Sequence, residues 1–175
     1  MLSIPFIKKL FKSLNEELKK MDVRGEIGIC GGAVMCLVFK AREATKDIDA
    51  IFAPTNEIRK AAQKVAKTLG LSKDWLNDAA KSYFHVDPPQ EDVMEFSHLR
   101  VWAPRGDYML AMKCISARFD THDKDDIEFL IRYLNFKTPE DVFETVLKYY
   151  PQSQVPPKSK FLIEELMEKK FTTSP

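Results

Sequence analysis

The chain has 175 residues, of which 45% are hydrophobic and 30% charged, a composition that fits a folded protein and excludes a disordered one. Its length suffices for one domain with a core, extended by a helical region. Because 27 basic residues nearly balance 26 acidic ones, we do not expect the chain to bind duplex DNA by broad electrostatic attraction.

The first half of the chain alternates helices and strands. An amphipathic helix comes first, and a later helix begins at Pro54-Thr55 and has Gly70 as its C-cap. The predicted elements are a helix, a strand, a helix, a strand and a helix, over 4–21, 26–30, 33–42, 47–52 and 55–69.

The second half predicts one more strand and then helices only. Before that strand, 72–78 predicts a short helical turn and 87–92 a loop. One helix has a strong start, with Thr138 at the N-cap and Pro139 at the first position. The strand and the four helices that follow it cover 99–102, 107–118, 124–134, 139–149 and 161–169.

This order of elements predicts an α/β fold in three parts. An N-terminal amphipathic helix occupies 1–24, an α/β core with a small mixed sheet occupies 25–106, and an all-helical region over 107–175 packs on that core. The three cysteines lack CxxC spacing, so we expect buried, reduced thiols and no zinc site. No secretory pattern and no apolar run of about 20 residues is present, which predicts a cytoplasmic protein without a membrane partner.

Two carboxylates stand two residues apart in a segment that predicts a strand. Asp47 and Asp49 belong to the run Asp-Ile-Asp-Ala-Ile-Phe, and residues two apart share one face of a strand. Two acids on one face beside an apolar strand are costly unless a cation neutralises them. Mg²⁺ suits such oxygen ligands and takes one or two carboxylates together with substrate phosphates. The structural alternative is a pair of exposed acids on an edge strand, paired with Lys46 or Arg42.

A glycine pair precedes these acids. Gly31-Gly32 falls where a strand is predicted to give way to a helix, and glycine there lets phosphate approach the backbone amides. Glycines near phosphate with acids on a metal are the arrangement of metal-assisted nucleotidyl transfer. The alternative for the glycines is an ordinary tight turn.

Gly-Gly followed by Asp-Ile-Asp on a strand resembles the signature of the polymerase-beta-like nucleotidyltransferase superfamily. The helical segments 108–118 and 124–128 are similar to those of its abortive-infection toxin branch and of that branch's minimal relatives. The resemblance implies a nucleotidyltransferase-type sheet, Mg²⁺ or Mn²⁺ as cofactor, and transfer of a nucleoside monophosphate from a nucleoside triphosphate to an acceptor hydroxyl. The acceptor is RNA such as tRNA, a protein or a small molecule, and an antitoxin is a conceivable partner.

The same resemblance implies roles for residues outside the acid strand. Lys113 is expected to contact nucleotide phosphate, and Lys124-Asp125 belongs to the same pattern. Arg42 and Thr45 directly precede the acids and are candidates for substrate contact. The structural alternatives are a Lys113 that extends to the surface, helix-start residues at 124–125 and a Thr45 that caps a turn.

The superfamily's fullest site has a third carboxylate on a neighbouring strand. The strand over 99–102 holds no acid, and Arg100 lies where one is expected. Glu95 can substitute only if that strand begins earlier. The alternative function is therefore a non-catalytic nucleotide-binding or protein-interaction module that retains the fold.

Overall fold

The chain folds as a mixed α/β protein, as the order of predicted elements indicated. A computed structural model describes the backbone of residues 1–116 and 122–172, with side chains up to 168. Contacts divide the chain into two units, Met1–Ser82 with Gln90–Pro104 and Tyr83–Pro89 with Arg105–Pro175. The N-terminal helix, predicted as a separate part, lies in the first unit with the strands.

The regular elements of the described residues are seven α-helices, seven β-strands and two short 3₁₀ helices. The helices are α1 (Ile4–Lys20), α2 (Gly31–Leu37), α3 (Thr55–Leu69), α4 (Gly106–Ser116), α5 (Asp123–Tyr133), α6 (Pro139–Tyr149) and α7 (Pro157–Thr172). The strands are β1 (Leu2–Ser3), β2 (Gly25–Ile29), β3 (Ala44–Thr45), β4 (Ile48–Ala53), β5 (Leu76–Asn77), β6 (Gln90–Glu95) and β7 (Leu99–Pro104). The 3₁₀ helices are Ala79–Tyr83 and Gln152–Gln154.

A five-stranded mixed sheet forms the centre of the first unit. Its strand order is β5-β4-β2-β7-β6, and β1 and β3 pair separately as a two-stranded sheet. β2 is antiparallel to β4 and parallel to β7. β5 runs parallel to β4, and β6 runs antiparallel to β7. β4, the acid-bearing strand, is therefore interior to the sheet.

One face of this sheet carries the core of the first unit. Its side chains are fully buried and belong to Ile27, Ile29, Ile48, Ala50 and Val101. The amphipathic helices α1 and α3 pack together on this side, with their apolar faces turned inward because their apolar residues recur at helical spacing. The two helices pack closely on the sheet at Gly25, since a Cβ there would contact the side chains of Leu18 in α1 and Ile58 in α3.

The structure corrects several predicted elements. The helix predicted over 33–42 begins at Gly31 and ends at Leu37, because Lys40 adopts a left-handed backbone with φ of 53°. Within 72–78, Leu76–Asn77 is a strand, and β6 occupies the end of the loop predicted over 87–92. The last helix begins at Pro157, four residues before the predicted start.

The second unit is helical apart from the segment Tyr83–Pro89. α4 is buried on all sides, and the hydroxyls of Tyr108 and Tyr150 donate to the carbonyl oxygens of Val86 and Tyr83. These hydrogen bonds attach the segment Tyr83–Pro89 to the second unit. The residues that precede and follow this segment in the sequence belong to the first unit.

The predicted start of α6 is confirmed as a capping box between Thr138 and Asp141. The last residues of the helix predicted over 107–118, including Arg118, lie outside the described residues. All three cysteines are buried and outside any disulfide, as expected. Within the part of the chain that the structure describes, no helix is both long and apolar enough to cross a membrane.

Candidate functional site

The glycine pair and the acid strand meet in the first unit. β2 ends at Ile29 and β4 begins at Ile48, and the two strands are antiparallel neighbours with Ile29 opposite Ala50. The end of one strand therefore lies beside the start of the other. The backbone amide of Cys30 donates to the carbonyl oxygen of Asp49 at 2.9 Å, which extends this pairing to the residue before the glycines.

Both glycines lie directly against predicted site residues. A Cβ added to Gly31 would lie 3.0 Å from Asp49 Oδ2, and Gly31 has a φ of +59° that side-chain-bearing residues rarely adopt. A Cβ added to Gly32 would overlap Thr45 Oγ1 and would lie 3.8 Å from Arg42 Nη1. The structure thus gathers five of the seven predicted site residues around one turn.

Asp47 comes immediately before β4, where the sequence prediction placed it inside the strand. Ile48 and Ala50 are buried, whereas Asp47 and Asp49 are half-buried. This alternation puts Asp49 on the side of the strand away from the core, and Asp47 lies at the bend just before the strand. The alternative of acids on an edge strand is wrong, because β4 lies between β5 and β2.

Thr45 is placed by a strand that the sequence did not predict. It is 6% exposed and pairs with Leu2 in the two-stranded sheet of β1 and β3. The chain from Ala44 to Asp49 is therefore fixed at one end by its pairing with β1 and at the other by the interior position of β4. Anchoring of this kind holds a site more rigidly than a free loop does.

An aromatic side chain, not a third acid, lies on β7 beside the acid-bearing face. β7 is parallel to β2, with Gly28 opposite Trp102, and a Cβ at Gly28 would overlap the indole ring. Gly28 also pairs with Ile51, which is two residues from Asp49, so Trp102 and Asp49 lie on the same face of the sheet. Pro104, two residues further along β7, offers no carboxylate either.

Arg100 is engaged elsewhere on this face. Its guanidinium donates to Asp92 at 2.8 Å and to Glu26 at 2.9 Å, and the hydrogen bond to Asp92 raises its pKa. Glu95 ends β6 and forms an ion pair with Arg24, so the condition for its use as the third acid, a β7 that begins earlier, is not met. These ion pairs account for both residues as parts of the sheet surface.

Lys113 lies in the second unit, within a buried ion-pair cluster. It is only 7% exposed, so the alternative that it extends to the surface is wrong. Its ammonium nitrogen lies 2.7 Å from Asp123 Oδ1 and 2.8 Å from Asp126 Oδ2. The contacts of Lys113 are thus with the first turn of α5, and its predicted role at phosphate stays a prediction.

The other residues of that pattern are at the surface of the second unit. Lys124 pairs with Glu165 at 2.8 Å, and Asp125 is 3.9 Å from His122 with its side chain 80% exposed. Asp126, in the first turn of α5, is buried and contacts Lys113 instead. The sequence signal for this ion pair is a lysine within an apolar helix, followed by an acid in the first turn of the next helix.

The described residues contain no group of three or more His, Cys, Asp or Glu side chains arranged to hold a metal ion. The predicted donor set is Asp47 and Asp49, of which Asp49 lies against the glycine turn. Two half-buried carboxylates fit Mg²⁺ when nucleotide oxygens and water complete its shell. Asn77, opposite Asp49 in β5, is a further polar neighbour that sequence reasoning missed, because a two-residue strand has no periodic pattern.

Comparison with known proteins adds no relative to these observations. No family model, no curated protein and no solved structure matches the chain.

Proposed function

We propose that this chain is a metal-dependent nucleotidyltransferase, which transfers a nucleoside monophosphate from a nucleoside triphosphate to an acceptor hydroxyl. One observation carries the proposal: the Gly31-Gly32 turn lies directly against the carboxylate of Asp49 and the hydroxyl of Thr45. The family resemblance implies that the glycines and the acids belong to one site. The antiparallel pairing of β2 and β4 supports this, because it brings the glycine turn beside the start of the acid strand.

Each residue of the turn has a role that its chemistry supports. The amides of Gly31 and Gly32 would bind the triphosphate, because they lie at the start of α2 and these residues carry no side chain of their own. The guanidinium of Arg42 suits bidentate contact with phosphate. Asp47 and Asp49 would hold Mg²⁺, which when bound neutralises phosphate charge and orients the attacking oxygen.

A test of metal fit follows from the donor set. Because two carboxylates leave most of an octahedral shell to other oxygens, we expect Mg²⁺ to bind weakly to the free protein and more tightly once a nucleoside triphosphate is present. Calorimetric titrations of Mg²⁺, with and without a non-hydrolysable triphosphate, measure both affinities once the heat of Mg²⁺ binding to the triphosphate alone is subtracted. Equal Mg²⁺ affinity in the two titrations contradicts the shared shell.

The activity test uses purified protein, Mg²⁺, each of the four labelled triphosphates, and either total RNA or protein extract as acceptor. We expect label transfer by the wild type and its loss in Asp49→Asn, which keeps the shape of the side chain but not its charge. Asp74→Asn, at an exposed acid of the same unit, is the matched control and should retain transfer.

A second candidate, a nucleotide-binding module without transfer, is favoured by one observation. Trp102 and Pro104 occupy the face of β7 where the third acid is expected. Triphosphate binding that depends on Arg42 and Asp49, without transfer to either acceptor pool, supports this candidate. Absence of any nucleotide affinity rejects both candidates.

A further inference from the structure

The outer surfaces of α1 and α3 concentrate positive charge on a nearly neutral chain. The two helices carry nine basic and three acidic residues, a net charge of +6, whereas the whole chain has +1. The rest of the chain is therefore at −5. The basic residues are Lys8, Lys9, Lys12, Lys19, Lys20, Arg59, Lys60, Lys64 and Lys67, all of them exposed.

The lysines of the two helices adjoin one another. Glu17 of α1 accepts a hydrogen bond from Lys20 and lies 3.7 Å from Lys64 of α3, and the hydrogen bond from Lys20 lowers its pKa. An open depression between the helices is lined by Met21, Lys60, Gln63, Lys64 and Lys67. Lys20, Lys60, Lys64 and Lys67 thus adjoin one another, and the exposed basic side of the two helices is named the α1–α3 basic face. Arg59 is paired with Asp78 at 2.7 Å.

We propose that the α1–α3 basic face binds the phosphate backbone of RNA. Lysines on a helix are point charges that neutralise phosphates without reading sequence. α1 alone has 17 residues, a length of roughly 25 Å that spans several phosphates of one strand at about 3.4 Å each.

Two other classes of partner fit this face less well. Helices that lie on membranes need an apolar face free to insert, but Ile7, Leu10 and Leu14 of α1 are fully buried in the core. Protein interfaces depend on aromatic and apolar anchors and are depleted of lysine. The two helices expose no large apolar side chain, which leaves a polyanion as the partner of matching charge.

The choice of RNA over DNA rests on the proposed function, since RNA supplies a ribose hydroxyl at each nucleotide as a possible acceptor. The surface itself does not depend on that function. α1 and α3 cover the core face of the sheet, whereas Asp49 lies on the opposite face. Docking and chemistry are therefore separable by mutation.

The test measures binding of a short labelled RNA stem-loop by fluorescence anisotropy across a salt series. The variant is Lys60→Gln/Lys64→Gln/Lys67→Gln, and the matched control, Lys81→Gln/Lys158→Gln/Lys160→Gln, removes the same charge from exposed lysines elsewhere. Each phosphate contact contributes about 0.7 to 0.9 to the slope of log affinity against log salt. We expect the slope to fall by about 2 to 3 in the first variant only.

Further arms separate this proposal from the alternatives and from the proposed function. Asp49→Asn should bind the stem-loop normally, and the α3 variant should bind nucleoside triphosphate normally, so either property can fail without the other. Equal loss of RNA binding in both lysine triples overturns the proposal. A duplex DNA of the same sequence that binds as tightly as the RNA, or vesicles of anionic lipid that compete the RNA away, overturns the choice of partner.

Discussion

Replacement of Gly32 by alanine separates the two roles that a glycine at this turn can have. If the residue is glycine only for packing, its replacement affects stability alone. If its amide must approach phosphate, replacement also removes nucleotide affinity. The structure fixes the cost of the first role, since the new Cβ would overlap Thr45 Oγ1 and lie 3.2 Å from Thr45 Cβ.

The magnitude follows from two opposing effects. Alanine is favoured over glycine in a helix by about 1 kcal/mol. Thr45 is 6% exposed and paired in β3 with Leu2, so it cannot move away without displacing backbone, and overpacking of this kind costs about 1 to 3 kcal/mol. We expect Gly32→Ala to lower the free energy of unfolding by about 0 to 2 kcal/mol.

A double variant then isolates the phosphate role. Thr45→Ala removes the overlapping hydroxyl, so Gly32→Ala/Thr45→Ala should recover about 1 kcal/mol relative to the sum of the single effects. Urea unfolding measures this coupling, and titration with a fluorescent triphosphate measures affinity. We expect stability to return while nucleotide affinity stays well below that of Thr45→Ala alone, because only the double variant carries a Cβ beside the amide of residue 32.

Gly70→Ala is the matched control for this experiment. Gly70 has a φ of +65° and open space around it, so alanine there should cost about 1 kcal/mol through backbone strain alone and leave nucleotide affinity unchanged. A Gly32→Ala protein that is more stable than the wild type and binds nucleotide normally refutes the reasoning. Restoration of affinity in the double variant assigns the glycine to packing only.

Three further predictions concern the buried polar groups and thiols. Lys113→Ala removes the ammonium that contacts the carboxylates of Asp123 and Asp126, so urea unfolding should show a loss of about 3 to 5 kcal/mol. Recovery in Lys113→Met/Asp123→Asn/Asp126→Asn confirms the cause, and unchanged stability of Lys113→Ala contradicts it. Burial alone would raise the pKa of Asp107, but hydrogen bonds from Arg105 and Tyr149 outweigh burial and hold that pKa well below its usual range. Asp107 therefore stabilises the fold at pH values above its unfolded pKa near 4, and this contribution fades as pH falls below that value. Asp107→Asn should therefore lose about 1 to 3 kcal/mol at pH 7 and approach the wild type in acid, and a difference that does not change with pH argues against the ion pair. Burial raises the pKa of the Cys114 thiol to about 12 and all three cysteines are buried, so a thiol reagent should label the protein only after denaturant is added, whereas labelling in native buffer shows a local opening.

The elements with strong local signals were predictable from sequence. α1 and α3 have apolar stripes at helical spacing, and α6 has a complete capping box at Thr138. Gly70 adopts the left-handed conformation that its place after α3 predicted. In each of these the residues that determine the element lie within one or two helical turns of one another.

The elements that were missed depend on distant partners. β6 is an edge strand with polar residues and a register shift between Asp92 and Met94, so its sequence lacks the alternation that marks a half-buried strand. β5 has two residues and exists because β4 lies beside it. α2 ends at Leu37 although apolar residues continue after it. This end was not predicted, because the left-handed residue of the turn is Lys40 and not a glycine.

The site was partly predictable for a topological reason. Antiparallel neighbours bring the end of β2 and the start of β4 together, so a glycine pair after one strand and acids at the start of the other meet once the pairing is known. The contact of Lys113 with Asp126 was not predicted. The family resemblance assigned Lys113 to phosphate, so the acid in the first turn of the next helix was not considered as its partner.

The sheet order also shows what the chain would need for full metal chemistry. β7 is parallel to β2, so its carboxyl end lies at the edge of the sheet where β2 ends and the acid strand begins. An acid at position 102 would share a face with Asp49, but Trp102 fills the space left by Gly28. Gly28 and Trp102 fit each other. The indole ring occupies the space that a side chain at position 28 would need, and without the ring that space would be a cavity. An acidic residue introduced at 102 alone would therefore lose packing before it supplied a ligand, so the proposed transfer must proceed with Asp47 and Asp49 as its carboxylates.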